Sequence, residues 1–219
     1  MYRPPDCGLG NVLMHLCYTD NVSDKIYDGG RGKFLIIKKN IMKDDLKLDT
    51  IIPPTYIVPD IHSNISHIIE PTEYAKQYIN KYKHLIDNVE YAFQIRRGSL
   101  SNTKQISDLS SIFCTDDTLN KFENILDKPG NVFISSDCLD IKHYLRNKYG
   151  DRIKFIDSES QFIINHNKDD PWVSFTEFFL LSMCPYVYMT GGNRDMNTFS
   201  TFGYMACMYG NVKFEPIFN

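Results

Sequence analysis

The stretch 90–99 reads EYAFQIRRGS and places two adjacent arginines, Arg96 and Arg97, directly after a short apolar run. The apolar residues predict a buried strand over 90–95. The stretch NVFISSD at 131–137 has the same form, an apolar strand followed by polar residues. Two such strands separated by a helical segment form the basic unit of a parallel sheet, so this part of the chain predicts an α/β fold.

Outward from 90–99, apolar strands alternate with amphipathic helices. The predicted strands are 33–38, 90–95, 131–135, 153–156 and 186–189, and the predicted helices are 10–18, 72–86, 116–127, 139–149, 172–183 and 199–208. We therefore predict a Rossmann-type parallel-sheet domain over 90–219 and a short N-terminal α/β half over 1–89. In such sheets, ligands bind outside the carboxyl ends of the strands, so the residues that follow each strand are the candidates for function.

Composition narrows the classes of protein that fit. The 219 residues carry 24 Lys and Arg against 27 Asp and Glu, a balance that argues against nucleic-acid binding. Hydrophobic residues make up 42% of the chain, enough for a folded core. We expect no membrane span and no secretory signal, and hence a cytoplasmic protein with reduced cysteines. The high content of Ile, Lys and Asn is typical of an AT-rich genome, such as that of a large DNA virus or a parasite.

The two arginines at 96 and 97 are the first candidate site. A planar guanidinium matches the geometry of phosphate oxygens, and Gly98 allows backbone N–H groups to approach an anion closely. The alternative is that both arginines lie at a solvated strand end. Spacing alone does not decide between these interpretations.

Two further strand ends are polar. Asp137 is either the N-cap of the following helix or a carboxylate that faces a ligand. The segments TGGN at 190–193 and NTFST at 197–201 predict either an anion site at a helix N-terminus or a glycine turn with an ordinary cap. Together the three strand ends predict a crevice for a phosphorylated ligand that carries a nucleotide.

Other chemical signatures are absent from the sequence. It contains no P-loop motif, no G-x-S-x-G elbow, no H-E-x-x-H and no C-x-x-C, and its histidines have no metal-ligand spacing. We expect no metal. The G-x-G at Gly8 and Gly10 is a weak signal by itself. Asp108 and Asp117 both lie in the region after strand 90–95 that could supply a general base, and nothing in the sequence selects either.

Taken in order, these motifs resemble those of the fucosyltransferase superfamily. The segment GLGN at 8–11 resembles the G-G-L-G-N-Q-L-F element of α-1,2-fucosyltransferases. QIRRGS at 94–99 is similar to the H-x-R-R-G-D motif that α-1,2-, α-1,6- and protein O-fucosyltransferases share. VFISSD at 132–137 resembles their strand-borne S/T-D-D element. EFFLLSMC at 177–184 and NTFS at 197–200 resemble their D-x-x-x-L-S-x-C and S-T-F-S elements.

The resemblance implies a GT-B-like fold, in which two Rossmann-type domains face each other and the C-terminal one binds GDP-fucose. It implies an inverting, metal-independent transfer of fucose to a glycan acceptor. The roles it carries to this chain are a catalytic Arg96 on the pyrophosphate, a supporting Arg97 with Gly98, Asp137 and Glu177 on the guanine or ribose, Thr198 and Ser200 on phosphate, and Gly8, Gly10 and Asn11 at the cleft from the N-terminal half.

The sequence also departs from the family motifs. Gln94 stands in place of the motif's His, Ser99 in place of its Asp, and Cys138 in place of the second Asp of the strand element. Two alternatives therefore stay open beside a glycosyltransferase. One is a nucleotide-sugar or glycan-binding module without turnover, and the other is an unrelated Rossmann-like enzyme that acts on a phosphorylated metabolite. Neither the acceptor nor the oligomeric state can be predicted.

Overall fold

The computed structural model describes residue 13 and residues 35–37, 65–97, 113–158, 172–192 and 199–219. The strands are β1 (Leu35–Ile37), β2 (Ile69–Pro71), β3 (Val89–Ile95), β4 (Asn131–Ser136), β5 (Ile153–Lys154), β6 (Tyr186–Thr190) and β7 (Lys213–Ile217). The helices are α1 (Ile65–Ile68), α2 (Glu73–Tyr82), α3 (Asp116–Leu126), α4 (Leu139–Tyr149), α5 (Trp172–Leu181) and α6 (Thr201–Gly210). Single 3-10 turns cover Lys83–Ile86 and Gly150–Arg152.

A parallel five-stranded sheet forms the centre of the fold, with the strand order β5-β4-β3-β6-β7. Strand β3 pairs with β4, where Ala92 lies opposite Phe133, and with β6, where Ala92 lies opposite Val187. Strands β1 and β2 form a separate antiparallel pair. The predicted α/β class with a Rossmann-type parallel sheet is therefore confirmed.

Helices cover both faces of the sheet because its strands are apolar on both sides. Along β3, Tyr91, Phe93 and Ile95 belong to an apolar cluster with α3 and α4. Ala92 belongs to a second cluster, which contains α2, α5 and α6. Successive side chains of a strand point to opposite faces, so the core has two layers of helices with the sheet between them.

Local capping signals set several helix boundaries. Thr72 precedes α2 and its hydroxyl accepts a hydrogen bond from the N–H of Ala75 at 3.1 Å. Thr115 caps α3 in the same way, with the N–H of Thr118 at 3.2 Å. Gly150 ends α4 with a φ of 75°, a conformation that glycine adopts without steric cost.

The structure contains elements that sequence periodicity does not predict. Strand β7 has Pro216 within it and lies at the edge of the sheet, where a missing N–H leaves no unpaired partner. Because proline is unusual within a strand, the sequence pattern does not predict β7. The short elements α1 and β2 also lie outside the predicted set, and the predicted helix 72–86 is α-helical only to Tyr82. Of the predicted helix 10–18, only Leu13 lies within the described residues.

The helices before β3 pack on those after it. Helix α1 packs on α6, and α2 packs on α5, where Trp172 stacks on Tyr78 and Tyr82 with ring centroids 5.0 and 5.5 Å apart. One apolar cluster thus includes residues on both sides of the predicted boundary at 89. In the part of the chain that the structure describes, no helix has the length and hydrophobicity to cross a membrane.

Candidate functional site

The order of the strands creates a crevice at the carboxyl edge of the sheet. From β3 the chain moves outward through β4 and β5, and it then returns to the other side of β3 with β6 and β7. Helices α3 and α4 pack on one face, whereas α5 and α6 pack on the other. The order of strands reverses between β3 and β6, and this is the point where open α/β sheets bind their ligands. Arg96 follows β3 at this point, and Thr190 ends β6.

Thr190 joins the two strand ends to the start of α6. Its hydroxyl accepts a hydrogen bond from the backbone N–H of Arg96 at 2.9 Å and donates one to the carbonyl of Gln94 at 3.3 Å. Its carbonyl accepts the N–H of Ser200, the N-cap of α6, at 2.9 Å. The backbone of Arg96 and the N-terminus of α6 are therefore held close together at the crevice.

The side chain of Arg96 is half-buried and contacts an aromatic ring. Its guanidinium lies over the ring of Phe113, 5.1 Å from the centroid. No hydrogen bond or ion pair to this guanidinium is formed by the other described residues. Burial lowers the pKa of Arg96 and the nearby Asp137 opposes this effect, but an arginine stays protonated at neutral pH. A partly desolvated cation at a topological switch point is suited to bind an anion.

The side chain of Arg97, in contrast, forms hydrogen bonds and an ion pair within the fold. It is only 5% exposed, and its guanidinium donates to the carbonyl of Cys114 at 3.1 Å and pairs with Asp116 at the start of α3. Its backbone N–H donates to Oδ1 of Asp137 at 2.7 Å. Arg97 thus ties the end of β3 to the start of α3 and to the end of β4, which is compatible with the supporting role predicted for it.

Asp137 does not cap the helix that follows it. The N-cap position of α4 is Cys138, whose side chain makes no capping hydrogen bond. One carboxylate oxygen of Asp137 instead accepts the N–H of Arg97, which holds the carboxylate at the carboxyl edge of the sheet. The structure thus gives Asp137 a structural contact to Arg97, and a contact of this carboxylate with a ligand stays a prediction.

Glu177 lies beneath the site. Its carboxylate is 2% exposed, with one oxygen 2.5 Å from the ammonium of Lys142 and the other accepting the hydroxyl of Ser135 at 2.8 Å. Burial raises the pKa of Glu177, and Lys142 and Ser135 oppose this effect. The predicted donor-binding residue is therefore engaged in a buried ion pair, and a contact with a ligand stays a prediction. Lys142 gives no sequence signal, because a helical lysine is usually solvated.

Two buried polar side chains near the start of α6 each have one atom without a hydrogen-bond partner among the described residues. Ser200 is 2% exposed and Gln94 is 5% exposed, yet Oγ of the first and Oε1 of the second have no hydrogen-bond partner among the residues that the structure describes. Gln94 lies against the first turn of α6, since its Oε1 would be 3.1 Å from a Cβ at Gly203. Unpaired buried polar atoms are rare in folded proteins and indicate a position where a ligand or water binds.

The remaining predicted site residues lie outside the described residues. These are Gly8, Gly10, Asn11, Gly98 and Thr198. The structure thus brings Arg96, Arg97, Asp137 and Ser200 to one edge of the sheet, and it places Glu177 below that edge. Within the described residues, no three His, Cys, Asp or Glu side chains form a group that could hold a metal ion.

No family model matches the chain, and no curated protein matches it. Similar solved structures include NodZ alpha-1,6-fucosyltransferase soaked with GDP-fucose, with 12% identity, a TM-score of 0.41, and coverage of 70% of this chain and 47% of that one. POFUT1 in complex with GDP-fucose is 13% identical, with a TM-score of 0.42 and coverage of 73% of this chain and 49% of that one. Fucosyltransferase NodZ from Bradyrhizobium is 10% identical, with a TM-score of 0.41 and coverage of 90% of this chain and 56% of that one. The chain spans about half the length of these proteins, and the likeness concerns the fold alone.

Proposed function

We propose that this chain is a glycosyltransferase that binds GDP-fucose at the carboxyl edge of its parallel sheet and transfers fucose to a glycan hydroxyl. The observation that carries the proposal is Arg96, a half-buried cation at the switch point between β3 and β6 whose guanidinium forms no ion pair in the described part of the chain. We propose GDP-fucose as the donor because the ordered motifs resemble those of fucosyltransferases.

Each group at the edge has a chemical task in this proposal. The guanidinium of Arg96 binds the pyrophosphate and neutralises the charge that develops as the diphosphate leaves. The N-terminus of α6 and the hydroxyl of Ser200 bind a phosphate, because a helix N-terminus presents unpaired N–H groups to an anion. Asp137 accepts hydrogen bonds from the ribose or the guanine. Arg97 keeps the ends of β3 and β4 in register with these groups.

The reaction is a single displacement at the anomeric carbon. The bond from that carbon to the phosphate oxygen breaks, and GDP leaves with the electron pair. The acceptor oxygen forms the new bond from the opposite face and loses its proton, so the configuration inverts. The charge of the leaving diphosphate is compensated by Arg96 and the helix N-terminus, without a metal. No residue is assigned as the base that takes the proton.

A binding module without turnover is the second candidate, and Gln94 favours it. This residue stands where the family motif has a histidine, and its amide neither accepts nor releases a proton at neutral pH. Binding and turnover therefore have to be measured separately. GDP binding without fucose transfer or release would support the module.

The test is calorimetric titration with GDP, GDP-fucose, UDP and ADP in the absence of metal. We expect selective binding of the two guanine nucleotides. Arg96→Ala should weaken GDP binding by roughly 10- to 150-fold, the cost of one lost charge-assisted hydrogen bond. Its melting temperature should stay near that of the wild type, because the guanidinium forms no hydrogen bond or ion pair with the other described residues.

Arg146→Ala is the matched control. Arg146 lies on α4, is 44% exposed and pairs with Asp151 at 3.3 Å on the surface, so its loss should leave GDP binding unchanged. Absence of GDP binding by the wild type, or equal binding of UDP and ADP, would contradict the proposal. Either result would leave an unrelated enzyme of phosphorylated metabolites as the better interpretation.

A further inference from the structure

A buried ion pair next to the site has no evident role in stability alone. Lys142 is 0% exposed and its ammonium lies 2.5 Å from Glu177, whose other oxygen accepts the hydroxyl of the buried Ser135. Removing two charges from water costs several kcal/mol per ion, so a buried pair is often no more stabilising than apolar side chains of similar size. Its position in the fold therefore has to be considered.

The ion pair joins the two layers of helices. Lys142 belongs to α4, whose neighbouring residues Ile141 and Leu145 pack in the cluster on one face of the sheet. Glu177 belongs to α5, whose next residue, Phe178, packs in the cluster on the other face. The connection therefore passes from one face of the sheet to the other.

The connection lies at the carboxyl end of β4, beyond the residues that pair with the edge strand β5 in the described part of the chain. The edge strand β5 pairs only with Val132 and Phe133 of β4. Ser135 is further along β4, where β3 still pairs on one side through Gln94. At this position the hydroxyl of Ser135 projects from the face of the sheet and donates a hydrogen bond to the carboxylate of Glu177 on α5.

The end of β4 carries a group of the site. Asp137 comes two residues after Ser135 and accepts the N–H of Arg97 at 2.7 Å. Asp137 is also close enough for its charge to raise the pKa of Glu177. A shift in the carboxyl end of β4 would thus move the carboxylate of Asp137 relative to Arg97.

We infer that Lys142, Glu177 and Ser135 form a positioning network that fixes the carboxyl end of β4 and holds Asp137 in place for the nucleotide. The inference rests on the proposed function for the identity of the ligand. It assigns Glu177 a task other than direct contact with the donor, and it gives Lys142 and Ser135 a part in nucleotide binding that acts through Asp137.

The test uses Ser135→Ala, which removes one hydrogen bond and leaves the ion pair. In this variant we expect faster exchange of the Arg97 amide hydrogen and weaker GDP binding, each by roughly 2- to 30-fold, the range for residues that couple to a site indirectly. Exchange at Phe214 in the edge strand β7 should not change. Thr176→Val is the matched control, because it removes a different buried hydroxyl, which lies on α5 and donates to the carbonyl of Trp172 at 2.6 Å.

A second variant, Lys142→Met/Glu177→Leu, removes both charges and keeps the volume, so it should fold. It should show the same two effects. Unchanged Arg97 exchange and unchanged GDP affinity in a folded Ser135→Ala or double variant would overturn the inference, as would equal effects in Thr176→Val. If the wild type binds no GDP, the proposed function fails, and the exchange of the Arg97 amide still tests the network.

Discussion

At the scale of single residues, the two adjacent arginines that follow β3 have different partners in the described part of the chain. Arg97 points toward the layer of α3, where it donates to the carbonyl of Cys114 and pairs with Asp116. Arg96 lies at the switch point with only the ring of Phe113 against its guanidinium among the described residues. Two residues with the same chemistry thus divide into one structural cation and one that is available to a ligand.

The buried pair of Lys142 and Glu177 is the second feature at this scale. Burial keeps the pKa of Glu177 above its ordinary value of 4.5 even though Lys142 favours the ionised form. A group whose pKa is raised in the folded state stabilises that state below the unfolded pKa, and this contribution is lost as the pH rises. The carboxyl of Glu177 therefore contributes to the stability of the folded state at low pH, and this contribution falls as the pH rises.

Lys142→Met should make this dependence stronger. The variant leaves the carboxyl of Glu177 buried without its cation, so its pKa rises further. At pH 7 we expect the free energy of unfolding to fall by about 3–5 kcal/mol, the usual cost of breaking a buried pair. The loss should become smaller on acidification, because protonation removes the buried charge of the carboxyl. Urea unfolding of variant and wild type at pH 5, 6, 7 and 8 measures both effects.

Arg146→Met is the control for Lys142→Met, because it removes an exposed cation from the same helix. Surface ion pairs contribute about 0–1 kcal/mol, so this variant should stay near the wild type at every pH. A difference between Lys142→Met and the wild type that is constant with pH, or that grows on acidification, would contradict the proposed state of Glu177.

At the scale of elements, the position of α6 depends on close packing at its last residue. A Cβ on Gly210 would overlap the backbone carbonyl of Ser182, directly after α5. Helix α6 also begins at the crevice, where Ser200 binds the carbonyl of Thr190. The contact at one end of the helix therefore helps to set the position of the N-terminus that we propose to bind phosphate.

Gly210→Ala should force α6 away from Ser182. We expect a loss of about 1–3 kcal/mol in the free energy of unfolding, the usual cost of overpacking. Helix propensity alone would favour alanine over glycine by up to about 1 kcal/mol, so the two effects have opposite signs and packing decides the outcome. Urea unfolding measures the difference.

Asn211→Gly is the comparison for Gly210→Ala at the same helix end. Asn211 has a φ of 52°, in the left-handed region that glycine adopts without strain, so this change should be neutral or slightly stabilising. If Gly210→Ala is as stable as the wild type, α6 does not pack as closely on Ser182 as described.

At the scale of the whole molecule, the apolar core crosses the predicted boundary at 89. Ile65, Ile68 and Ile79 precede β3 and are buried in the cluster that α5 and α6 also form. Burying one such side chain contributes about 1.5–3 kcal/mol, and a typical domain is stable by only about 5–15 kcal/mol. The elements α1 and α2 thus contribute a large share of the stability of the sheet domain.

Removal of these elements should therefore unfold the sheet domain. We expect a fragment of residues 90–219 to lack a cooperative thermal transition by circular dichroism. A fragment of residues 60–219 keeps α1, β2 and α2, and it should melt closer to the full chain. A cooperative transition of 90–219 at the temperature of the full chain would show instead that the boundary predicted at 89 separates independent domains.

Local sequence patterns predict most elements of the central sheet and the ends of several helices. The four strands predicted from residue 90 onward correspond to β3, β4, β5 and β6, because each is a short apolar run between helical segments. Caps such as Thr72 and the glycine at 150 mark helix ends, because these residues satisfy or end the backbone hydrogen bonds of their own neighbours. The polar residues at the strand ends can be predicted as well, because they follow the apolar runs directly in sequence.

The way in which these elements and residues meet depends on contacts that form only in the folded chain. The strand order that puts β6 beside β3, the edge strand β7 with its proline, and the different tasks of Arg96 and Arg97 depend on contacts between distant parts of the chain. Arg96 and Thr190 are 94 residues apart in sequence, and Lys142 and Glu177 are 35 apart. A local pattern records the period and the caps of an element, whereas its partners depend on packing between layers, which no local pattern contains.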